Sequence, residues 1–75
     1  MTKQRDTKFI SYNMYHLRKN ILGLSQEKFG EMVGLSKDTI SNIERGKYLP
    51  NISTLVNIAN KLDVSIDFFL HKLEG

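Results

Sequence analysis

No cysteine occurs in the 75-residue sequence, which excludes disulfides and thiolate metal sites. Its two histidines, His16 and His71, stand far apart with no ligand spacing around either, so neither a metal nor a cofactor is expected. No apolar run approaches the roughly 20 residues that a membrane span needs. The opening MTKQRDTKF carries charge but leads into no signal-peptide apolar stretch. Alternation of apolar and polar residues is never sustained long enough to predict a strand. Linkers, repeats and low-complexity tracts are missing as well. The remaining possibility is one small domain suited to a reducing, cytoplasmic setting. A chain this short buries only about 60% of its unfolded surface, so its elements must pack closely.

Acidic residues are scarce where basic ones gather. Residues 1–50 hold nine Lys/Arg against five Asp/Glu, a balance of +4, whereas residues 51–75 hold two against three, a balance of −1. A basic front with a near-neutral back suits a polyanion on one side. By itself the charge describes only a basic domain.

Helical signals fill the sequence. Phe9/Ile10, Met14, Leu17 and Ile21 recur at spacings of three and four, which predicts a first amphipathic helix over about 7–21, stopped by Gly23. Ser25 caps a second helix, with Glu27 in the first turn and Phe29, Met32 and Val33 apolar, until Gly34. Gly30 lies inside it, at a cost of roughly 1 kcal/mol against alanine, as expected where another segment passes close. Ser36 caps a third helix that runs to Glu44 or Arg45 and closes at Gly46. Asn51 caps a fourth, with Ile52, Leu55, Ile58, Ala59 and Leu62 on one face and Asp63 at its end. Ser65 caps a fifth, SIDFFLHKL. The expected fold is all-α: five short helices around one core, over residues 7–75, behind a flexible basic end at 1–6.

The second and third helices are separated only by Gly34–Leu35–Ser36, the spacing of a helix-turn-helix. Leu35, Ile40 and Ile43 would anchor the pair. The rest of the third helix then faces outward: Lys37, Asp38, Ser41 and Asn42, with Thr39 on the flank and Arg45 at the end. Such a face fits the major groove, where lysine donates to guanine O6 and N7, asparagine pairs with adenine N6 and N7, and aspartate accepts from cytosine N4. The second helix would cross the backbone, its free amides and Gln26 meeting phosphate, with Lys28, Arg45 and Lys47 nearby. A polar helix face is most often merely solvated. Here two caps, a glycine turn and a small residue at the crossing agree with the stronger reading.

The stretches GLSQEKFG, VGLSKDTISNIERGK and STLVNIANKLDVSIDFFL resemble the Cro/lambda-repressor-like, or Xre-type, helix-turn-helix family, and the likeness runs from Leu17 to Leu70. The resemblance implies a compact five-helix domain that binds operator DNA as a symmetric dimer and does so as a regulator, with repression the usual mode. It implies base contacts from Lys37, Asp38, Ser41 and Asn42. It implies phosphate contacts from Gln26, Lys28, Ser36, Thr39, Arg45 and Lys47. It also implies that Glu44 pairs with an arginine of the first helix. Leu17–Arg18 stands one residue further upstream than the family pattern, and Lys19 occupies the expected count. The helical spacing favours Arg18, with one extra residue before Gly23; Lys19 is the alternative. Arginine can fork onto a carboxylate and lysine cannot.

A dimer would read two half-sites of a pseudo-palindrome about 34 Å apart. Its expected surface is on the fourth and fifth helices: Ile52, Phe68, Phe69 and Leu73, with one of the two phenylalanines in the core. Lys3, Arg5 and Lys8 could follow DNA as an arm, although such ends are commonly just solvated. A phage-type repressor, a restriction–modification controller and an antitoxin-like autoregulator all fit. A helical protein-interaction module is the alternative from another class. No paired nucleophile accompanies either histidine, so no enzyme is expected, and no small-molecule ligand is evident.

Overall fold

The structure, a computed structural model, describes residues 8–70. Five helices follow in order: α1 (Lys8–His16), α2 (Gln26–Val33), α3 (Lys37–Glu44), α4 (Ile52–Leu62) and α5 (Asp67–Leu70). No strand occurs among the described residues. Ile10, Met14 and Leu17 of the first helical segment meet Phe29 and Val33 of α2 and Ile40 and Ile43 of α3. Leu55, Ile58 and Ala59 of α4, with Phe69 of α5, close the same core.

Local chemistry sets the helix starts. The Ser25 hydroxyl accepts from the Lys28 amide at 3.1 Å, and the Ser36 hydroxyl accepts from the Thr39 amide at 3.1 Å. Asn51 Oδ1 accepts from the Thr54 amide at 2.9 Å, and the Ser65 hydroxyl from the Asp67 amide at 3.1 Å. Each satisfies an amide that the helix cannot. Left-handed residues close the turns: Gly34 at φ 79° ends α2, and Asp63 at φ 58° ends α4. Aspartate tolerates that conformation better than most side chains.

The first helix departs from the expected path. After His16 the chain continues through Leu17–Ile21 as a π-helical turn. The Leu22 amide reaches back five residues to the Leu17 carbonyl at 2.9 Å, and the Leu24 amide six residues to the Arg18 carbonyl at 2.9 Å. A π turn advances fewer degrees per residue than an α turn, so it absorbs one extra residue and rotates the chain beyond it. Ile21 is therefore 56% exposed rather than part of the apolar stripe. Met32, expected on the apolar side of α2, is also exposed.

Two polar ties lock the frame. Wholly buried Asn13 donates from Nδ2 to the Phe68 carbonyl at 2.9 Å, joining α1 to the start of α5. Asn57 Nδ2 donates to the Val33 carbonyl at 3.4 Å, joining α4 to the end of α2.

Gly30 is where α2 meets the turn that leads to α3. Its carbonyl accepts from the amides of Gly34 and Leu35, the latter at 2.9 Å. A Cβ at this position would overlap the Leu35 carbonyl oxygen, a backbone atom that moves only if the turn opens. Gly30→Ala is therefore expected to lower the thermal midpoint, although alanine favours a helix by about 1 kcal/mol. A midpoint at or above that of the parent would mean that the turn yields without cost.

Candidate nucleic-acid interface

The third helix is fixed from one side. Ile40 and Ile43 are fully buried. Behind them, Glu44 receives Arg18 in a forked contact: Nε to Oε2 at 2.6 Å and Nη2 to Oε1 at 3.0 Å. Arg18 Nη1 donates to the Leu24 carbonyl at 2.7 Å, and Gln26 Nε2 donates to Glu44 Oε1 at 3.0 Å. The side chains of the pair are 8% and 5% exposed. Hydrogen bonding to Glu44 raises the Arg18 guanidinium above its ordinary pKa, outweighing burial, which acts the other way. A raised arginine loses its pairing only as the pH climbs through that higher value, so the cation persists across any working pH. Lys19 is exposed. The Tyr15 ring lies 5.4 Å from the Arg18 guanidinium and covers the pair.

Opposite this anchor is the outward face. Lys37, Asp38, Asn42 and Arg45 are exposed and Ser41 is half-buried. None of these five side chains has a hydrogen-bond or ion-pair partner among the described residues. They recur every three or four positions, so they share one side of α3. The expected phosphate-contacting residues are placed less uniformly. Ser36 and Thr39 bond to each other through their hydroxyls at 2.9 Å. Lys28 stands 3.8 Å from Glu31 on an exposed surface, and Lys47 is exposed in the loop after α3. Gln26 is half-buried, with one amide hydrogen committed to Glu44, a link that helix periodicity gives no sign of. Among the described residues no group of His, Asp or Glu could hold a metal ion.

The expected association surface changes in part. Phe69 is fully buried and belongs to the core, packed edge to face on Phe68 at 5.4 Å. With no exposed surface, it cannot meet a second molecule. Phe68 is half-buried, and Leu73 lies outside the described residues. Ile52 is 57% exposed, and two residues that the sequence pattern did not single out, Leu49 and Val56, are exposed beside it. The four-residue step from Ile52 to Val56, off the Leu55–Ile58 stripe, was the available signal.

A family model described as helix-turn-helix matches residues 14–69. An uncharacterized HTH-type transcriptional regulator from Sinorhizobium medicae is 39% identical over 59 residues, covering 79% of this chain and 42% of that one. This chain thus spans less than half the length of that relative. Among solved structures, an HTH_3 family transcriptional regulator from Vibrio cholerae superposes with a TM-score of 0.76 at 34% identity, over 85% of this chain and 36% of the other. The P22 c2 repressor, crystallised with a synthetic operator, superposes with a TM-score of 0.68 at 30% identity, over 81% and 91% of the two chains.

Removing one member of a buried pair leaves the other charge uncompensated. Glu44→Ala should therefore cost about 3 kcal/mol in urea unfolding, while Arg18→Met combined with Glu44→Leu should recover most of that loss. A single-variant loss below about 1 kcal/mol, the range of exposed pairs, would remove the pair from its anchoring role.

Proposed function

Because this chain belongs to the helix-turn-helix family, we propose that it is a DNA-binding transcriptional regulator that reads an operator through α3, and not an enzyme. The observation that carries this reading is the uncommitted face of α3: five polar side chains with no partner among the described residues, on a helix clamped from behind by Arg18 and Glu44. A side chain bonded within the protein is a poor reader of bases. Lys37, Asp38, Ser41 and Asn42 are the base contacts, those nearest the N-terminus reaching deepest into the groove. Arg45, Lys47 and Lys28 supply charge to the phosphates, and the capped start of α2 offers amides beside Gln26. Ser36 and Thr39 take phosphate with whatever bonding capacity their shared hydroxyl contact leaves. Repression is the mode in keeping with the P22 neighbour. A cytoplasmic location belongs to the same reading.

The regulator acts as a homodimer on a pseudo-palindromic operator. Leu49, Ile52 and Val56 form an exposed apolar row on the loop before α4 and its first turns, with half-buried Phe68 as the remaining candidate on α5. Exposed apolar side chains gathered in this way mark association surfaces.

Selection from random duplex DNA tests the reading. The expected outcome is a pseudo-palindrome with half-sites about one helical turn apart. Asn42→Ala should relax preference at one base position by about 1–3 kcal/mol. A featureless pool with salt-independent binding would transfer the chain to the protein-interaction class. The pair Ile52→Asp and Val56→Asp should shift the free protein to monomer in sedimentation and weaken operator binding. Unchanged size would put the dimer surface elsewhere.

A further inference from the structure

We infer that the cleft between α1 and the C-terminal end of α3 is a second DNA contact, holding the phosphodiester backbone beyond the bases that α3 reads, through Tyr12, Tyr15 and Arg45. The inference rests on the DNA-binding reading above. The cleft is open and has a volume of about 430 Å³. Lys8, Ser11, Tyr12 and Tyr15 of α1 form one wall, and Glu44, Arg45 and Gly46 form the other.

Position, donor chemistry and rigidity support the same occupant. Arg45 is the last member of the outward face of α3 and also lines the cleft, so the cleft starts where the base-reading face stops. A strand bordering a groove filled by Ser41 and Asn42 passes this point. Tyr12 is 55% exposed and Tyr15 is 39% exposed, and neither hydroxyl has a hydrogen-bond partner among the described residues. Two phenol donors and one guanidinium form a set suited to phosphate oxygens. Glu44, the one acid in the walls, does not oppose an anion, since Arg18 and Gln26 already occupy its oxygens. The rings are held in advance: Tyr12 stacks on His16 with centroids 5.9 Å apart, and Tyr15 lies against Arg18. These ring contacts reduce the side-chain freedom that is lost on binding.

Fluorescence anisotropy on two probes tests this: a 30-base-pair duplex of random sequence and a duplex recovered by selection. The variant Tyr12→Phe with Tyr15→Phe keeps both rings, so its melting curve should match the parent. It should bind both duplexes about tenfold more weakly, as expected for lost hydrogen bonds to charged oxygens. The slope of log affinity against log salt should stay the same, because phenol carries no charge. Arg45→Ala should lower affinity and reduce that slope by about one. Parental affinity in the double tyrosine variant overturns the inference and leaves the operator reading standing. Unchanged affinity with altered sedimentation overturns it in favour of a second copy in the cleft. Failure of the parent to bind either duplex overturns the DNA reading, and this inference with it.

Discussion

The contact between Arg18 and Glu44 is the point at which four segments, the π turn, the loop after it, α2 and α3, are joined through side chains. Arg18 comes from the π turn that ends the first helical segment, and Glu44 is the last residue of α3. The same guanidinium holds the Leu24 carbonyl in the loop, and Gln26, the first residue of α2, completes the carboxylate. Burying two charges costs several kcal/mol unless their remaining bonding capacity is met. Here both carboxylate oxygens and all three guanidinium nitrogens are engaged. Apolar packing alone leaves a short helix free to rock about its stripe. A forked ion pair at one end removes that freedom, because its geometry tolerates little rotation.

That constraint explains why the π turn is present. The stretch from Leu17 to Gly23 holds one residue more than the arrangement needs. An α-helical path would carry Arg18 or the loop out of register with Glu44. Widening one turn keeps Leu17 in the core, Arg18 on Glu44 and Gly23 in the left-handed region at φ 66°. The cost falls on Ile21 and Leu22, which end up exposed. An apolar residue on the surface is a smaller loss than a buried carboxylate without its partner.

Much of this was legible from residue types. Ser25, Ser36, Asn51 and Ser65 mark helix starts because their side chains can do what the missing turn cannot. Gly34, Gly46 and Asp63 mark ends because few residues adopt positive φ. The outer face of α3 was legible because Ile40 and Ile43 define the inner one. The π turn was not, since the spacing of Ile10, Met14, Leu17 and Ile21 continues unbroken and only the count before Gly23 betrays the extra residue. Phe68 and Phe69 were ambiguous because a helix as short as α5 has no periodicity to separate neighbours. Ile52 shares the spacing of the inner stripe of α4 and is also an expected association residue; it is exposed because a first-turn residue beside an exposed loop has no neighbour to cover it. The tie from Gln26 to Glu44 depends on how α2 and α3 cross, which no local pattern encodes.

Commitment of polar groups divides the molecule in two. At the helix starts and behind α3, side chains are spent on backbone amides or on one another, and these contacts hold the frame. On the face of α3 they are left open. Leaving them open is inexpensive, because water satisfies an exposed lysine, aspartate or asparagine fully. The cost arises only when a partner displaces that water without replacing its bonds. On the proposed reading a matching base edge would restore them and a mismatched one would not, so discrimination would come from unmet bonds as much as from made ones. Asp38 sharpens this. On the proposed reading its carboxylate, repelled by phosphate, would accept from a base amino group, and so would oppose loose, sequence-blind association. Discrimination of this kind requires that α3 cannot shift to relieve a poor match, which returns the burden to the buried pair at its far end.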